Sequence, residues 1–210
     1  MERKHERLAT ARAAGIAGVV FAVLTATAIA LVRTALPDGA DDTVVDAGQR
    51  NALRTALELL PFAGIAFLWF MGALREQADG TEDRFVSTVF LGSGLIFVAT
   101  LFGAAAAAGS VLDEDPQGSP FGKEFAYALL TTYAMRMAAV FVLTTSTIGR
   151  RRGSLPRPLV VIGYLAGLTL LVVAANVPWC ELVFPAWVLL LSLNILLGRR
   201  PAGAPPGARA

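Results

Sequence analysis

The chain has 210 residues, of which 55% are hydrophobic and only 16% charged, with a mean hydropathy of +0.61 and a formal net charge of +2. A soluble globular domain carries about 25% charged residues, and here the charges gather in short islands between long apolar runs. That pattern excludes a soluble enzyme or a nucleic-acid-binding domain and predicts an all-α, polytopic membrane bundle, because a bilayer core of about 30 Å takes roughly 20 helical residues per crossing.

Taken in chain order, six spans are predicted: Ala13–Val32, Thr55–Leu74, Phe85–Ala108, Phe125–Ile148, Leu159–Val177 and Leu182–Leu197. The basic leader MERKHERLATAR precedes an apolar run too long for the usual signal-peptide core of about 7–15 residues. It is therefore read as a retained first helix. The outer loop LPDGADDTVVDAGQRNALR carries Asp38, Asp41, Asp42 and Asp46, and a short interfacial helix leading into span two is expected within it. The next outer loop adds Asp113, Glu114 and Asp115. Neither stretch has EF-hand spacing, so both read as solvated acidic faces. Between spans five and six lies only PWCE.

Lys and Arg mark the side facing the cytoplasm. With the N-terminus inside, thirteen basic residues fall inside, from Arg3 and Lys4 through Arg150, Arg151 and Arg152 to Arg209. Four (Arg33, Arg50, Arg54 and Lys123) fall outside. Both termini are therefore expected in the cytoplasm of a multi-pass protein of the cell membrane. Residues 1–198 form one transmembrane domain in this reading, and 199–210 a disordered cytoplasmic tail.

Small residues recur at helix-packing spacing: Gly15 and Gly18 in span one, Gly103–Gly109 in span three, Gly163 and Gly167 in span five. These are expected at internal helix contacts, where small side chains let backbones approach. Trp179 and Trp187 are assigned to an outer aromatic belt, and Trp69 to the inner end of span two. The chemistry-bearing residues are few. One histidine (His5) and one cysteine (Cys180) leave no set for a metal centre, a disulfide or a bis-histidine haem, so no cofactor is implied.

Arg136 is the exception, a permanent charge inside span four. An unpaired arginine at the bilayer centre costs about 2.5–3.5 kcal/mol on insertion scales. Counting 1.5 Å per residue, Glu58 in span two falls in nearly the same layer, with Thr25 and Thr100 within about a turn. Thr132 and Tyr133 share the face of Arg136 by i−4 and i−3 spacing. An Arg136–Glu58 ion pair facing the bundle interior is the expectation, with Arg54 as the competing partner for Glu58. Such a pair either clamps two helices or marks a path for an anionic solute.

The stretches LELLPFAGIAFLWFMGALRE, EDRFVSTVFLGSGLIFVATLF and YAMRMAAVFVLTTSTI resemble a family of small, uncharacterised integral membrane proteins from actinobacteria. The likeness covers spans two to four and implies no activity or site. Three functions stay open: a structural or accessory membrane subunit, a small-solute transporter with an anionic ligand at Arg136, and a membrane enzyme. The last is weakest, since no nucleophile–base set is visible. The expected partners are the bilayer and a membrane protein or second copy, with no nucleic acid.

Overall fold

In a computed structural model of the chain, residues 2–35, 46–77, 84–113, 120–173, 177 and 179–197 are described. They form α1 (Glu2–Ala35), α2 (Ala47–Gln77), α3 (Arg84–Asp113), α4 (Pro120–Ala128), α5 (Met135–Arg152), α6 (Arg157–Val172) and α7 (Val183–Leu197). A π-helical segment, Leu129–Ala134, joins α4 to α5 in one rod, and a 3₁₀ turn, Cys180–Leu182, leads into α7. Six rods result, one for each predicted span. Among the described residues, five rods are long and apolar enough to cross a membrane, the last being α7 with the 3₁₀ turn before it (Cys180–Leu197, 18 residues); α6, with 16 residues, falls short of that length. Asp38, Asp41, Asp42, Glu114 and Asp115 of the acidic loops, and the tail 199–210, lie outside the described residues, while Asp113 ends α3.

Local chemistry sets the rod ends. At the start of α2 the Asp46 carboxylate accepts from the Gln49 N–H at 2.7 Å, and the Gln49 side chain accepts from the Asp46 N–H at 2.8 Å. This reciprocal cap starts one continuous helix at Ala47, so the separate interfacial helix expected before span two is absorbed into α2. Pro61 is exposed, and α2 runs on through it. α5 ends at Gly153, whose φ of 62° is a left-handed value that glycine adopts without steric cost. Ser154 N–H then donates to Gly149 C=O at 3.1 Å, closing the helix before Pro156.

The rods form a ring, α1–α2–α3–α5–α6–α7, with α7 returning to α1. Gly15 of α1 faces Leu196 and Gly18 faces Ser192, near the end of α7, so the two helices are antiparallel. The C-terminal end of α1 and the turn before α7 meet at Arg33 and Glu181. Inside the ring, phenylalanines from five rods interlock. Phe67 of α2 lies with its ring centroid 5.0 Å from Phe21, 5.0 Å from Phe97, 4.9 Å from Phe141 and 5.9 Å from Phe184. All five are fully buried. Tilted and edge-on aromatic pairs of this kind add attraction beyond simple area burial.

The glycine expectation holds for spans one and five. An added Cβ at Gly18 would stand 2.0 Å from Ser192 Oγ, and one at Gly163 would stand 2.0 Å from Ser146 Oγ. Gly167 is likewise closed by Leu143, so the GYLAG stretch is consumed in packing α6 against α5. Span three differs: Gly103 is exposed, with Leu129 at 3.7 Å as its nearest neighbour, and Gly109 faces open space. Trp187 also departs from expectation. It is 1% exposed within the bundle beside Gly163, whereas Trp179 and Trp69 stand on the surface.

Gly18→Ala should cost about 1–3 kcal/mol of bundle stability because the added methyl overpacks the α1–α7 contact. Gly72→Ala, where an added Cβ meets nothing, should be neutral or slightly stabilising. Unfolding of both variants in mixed micelles measures the difference.

Candidate functional site

The charged site inside the bundle is not the one expected from spacing. Among the described residues, the ion pair joins Arg33, in the last turn of α1, to Glu181, in the 3₁₀ turn before α7. Arg33 Nη2 donates to Glu181 Oε1, and Arg33 Nη1 donates to the Tyr127 hydroxyl of α4 at 3.2 Å. The guanidinium also lies over the Tyr127 ring, 5.8 Å from its centroid. Three separate rods therefore meet on one arginine.

Glu181 is 2% exposed, while its second oxygen, Oε2, is buried with no partner among the described residues. The backbone that places it is unusual. Trp179 has φ 67°, a left-handed value rare for a bulky residue. That turn reverses the chain in very few residues and carries Cys180 and Glu181 inward. Cys180 is buried and free, as a shielded thiol would be. A buried carboxylate held by one arginine is stable only while the arginine stays, since removing either partner strands the other charge.

The π segment explains how Tyr127 reaches this site. Six residues wound at the wider π turn lag a regular α-helix by about one residue, or roughly 100°. The part of the rod before Leu129 is thus rotated relative to the part after Ala134. Tyr127 faces Arg33, whereas Tyr133 and Arg136 face outward.

The pairing expected between Arg136 and Glu58 is not made. Both side chains are exposed on the perimeter of the ring, one on α5 and the other on α2, and no ion pair joins them. Phe67 and Phe141, in ring contact at 4.9 Å, lie between the two rods and occupy the interior instead. Tyr133 is 55% exposed beside Arg136, and Thr132 is half-buried. Thr25 is buried, with its hydroxyl unpartnered among the described residues, and Thr100 returns its hydroxyl to the carbonyls of Ile96 and Phe97. The four candidates do not converge on a common cavity. No group of three or more His, Cys, Asp or Glu that could hold a metal ion occurs among the described residues.

Arg33 and Glu181 escaped the sequence reading because both sit at rod ends, where charges are ordinarily solvated. The signal was present, nonetheless: PWCE is too short to carry its acid far from two apolar helices, and span one ends in a base at the same side.

Breaking the pair with Arg33→Met or Glu181→Leu should each cost about 3 kcal/mol. The double variant should lose markedly less than the sum, because neither charge is then stranded. A double-mutant cycle on unfolding in bicelles reads this coupling.

No protein-family model, no curated protein and no solved structure matches the chain.

Proposed function

We propose that this chain is a structural or accessory subunit of the cell membrane, crossing it with both termini in the cytoplasm. The observation that carries this reading is the filled axis of the ring. Phe21, Phe67, Phe97, Phe141 and Phe184 meet where a solute path between the rods would have to run. Around them the pair Arg33–Glu181 ties α1 to the α6–α7 turn, which suits a rigid frame.

A transporter built on Arg136 needs that arginine to line a passage through the bundle. Its place on the perimeter lends that reading no support. A perimeter charge suits a surface offered to another membrane helix instead. Kinship with the actinobacterial membrane proteins is part of the same proposal, resting on the residues of α2, α3 and α5. It supplies no activity to add.

Ala63 and Ala138 face the axis and are fully buried. In a Cys180→Ser background, Ala63→Cys and Ala138→Cys should stay unreactive to membrane-impermeant thiol reagents added from either side. Labelling of either cysteine in the folded protein would argue for an aqueous path and against the subunit reading.

A further inference from the structure

We propose that the chain associates side by side with a second copy of itself, Arg136 of one copy bonding Glu58 of the next. The inference rests on the subunit reading above and names its partner.

Two opposite charges on one chain stand exposed on separate rods, and neither makes an ion pair or hydrogen bond among the described residues. Arg136 lies about 18 Å along its rod from Glu124 and about 21 Å from Arg150, deep within the span. Glu58 lies about 16 Å from the start of α2 at Ala47. The contact between Phe67 and Phe141 puts both rods on one scale of height. Arg136 is five residues, about 7.5 Å, outward of Phe141, and Glu58 is nine residues, about 13.5 Å, outward of Phe67.

The gap is about 6 Å, with Arg136 the more inward of the two. Side chains on a helix lean toward its N-terminus. α5 and α2 both run inward from their N-termini, so Arg136 and Glu58 both lean outward, and the longer arginine side chain makes up part of the gap. α2 and α5 are parallel, since each is antiparallel to α3: Gly64 meets Phe102 and Met71 meets Gly94, while Phe141 meets Phe90 and Leu129 meets Gly103. Two copies inserted with the same orientation can therefore set the α5 face of one against the α2 face of the other without tilting either. In that register Tyr133 comes level with Glu58 and can donate a second hydrogen bond, and Arg136 comes level with Phe62, which is 63% exposed.

Charge complementarity favours a second copy over the alternatives. An anionic lipid headgroup would satisfy Arg136 and leave Glu58 alone. A foreign helix bearing one carboxylate would do the same. A second copy satisfies both charges with one contact. Because the two faces differ, the contact is head-to-tail, and repetition closes a ring or extends a chain.

Two differently tagged copies of the full chain, both Cys180→Ser, would be co-expressed, one carrying Val140→Cys and the other Ile65→Cys, positions about 1.5 Å apart in height in that register. Oxidation in native membranes should give a disulfide-linked heterodimer. Arg136→Glu in the first copy alone, or Glu58→Arg in the second alone, should reduce that product about tenfold. Both substitutions together should restore it, which also shows that the variant copies fold. Absence of the heterodimer, indifference to the single reversals, or failure of the double reversal to restore it would overturn the proposal. So would a photo-crosslinker at position 136 that captures only lipid or another protein. A monomer with unlabelled axis cysteines would sink self-association and leave the subunit reading standing. A labelled axis in a self-associating protein would do the reverse.

Discussion

Phe67 is the residue on which the bundle converges. Its ring touches those of Phe21, Phe70, Phe97, Phe141 and Phe184, and so ties α2 to α1, α3, α5 and α7. Lipid tails are as apolar as leucine, so burying these rings from lipid gains little by transfer alone. Their worth lies in shape: close aromatic contacts at tilted angles, a filled axis and small residues that let the surrounding backbones close in. Gly18 and Gly163 make that closure possible, each receiving a serine hydroxyl where any side chain would stand.

Several hydroxyls inside the ring are satisfied locally, while Thr25 Oγ1, Ser146 Oγ and Trp187 Nε1 are buried without a partner among the described residues. Thr131, Thr144, Thr145, Thr147 and Ser192 return their hydroxyls to carbonyls one turn back on their own helices. Thr147 also meets the Tyr164 hydroxyl at 3.1 Å, linking α5 to α6. Such bonds satisfy hydroxyls without requiring water in the hydrocarbon. Charge cannot be hidden so cheaply, and the bundle deals with it in two ways. Glu181 is brought inside and given Arg33 and, through that guanidinium, Tyr127. Arg136 and Glu58 are left exposed on the perimeter, with no ion pair between them.

The two arrangements divide the work of the molecule. The inner pair ties the end of α1 to the turn before α7 and, through Tyr127, to the α4 rod. The perimeter charges contribute nothing to that closure and face away from it. The π segment separates them: it lies between Tyr127, which serves the inner pair, and Arg136, which serves the surface. One extra residue in a turn lets a single rod face both ways.

Length and apolarity determined the class of fold, because a crossing helix must satisfy its backbone internally over a known thickness. The six rods, the antiparallel return of the chain and the packing of Gly15, Gly18, Gly163 and Gly167 are all legible in residues 13–197. Depth was legible in part: counting residues set Arg136 and Glu58 in nearly the same layer, and on the scale fixed by Phe67 and Phe141 they stand about 6 Å apart. Azimuth was not. Whether a residue faces the axis or the lipid depends on which helices neighbour it, and on the π turn that breaks the 3.6-residue phase before Arg136. Trp187 was misplaced for a related reason, since its face of α7 is covered by α6 at Gly163. The pairing of Arg33 with Glu181 spans 148 positions. It exists because the ring closes α7 onto α1, and only the tertiary structure decides that closure.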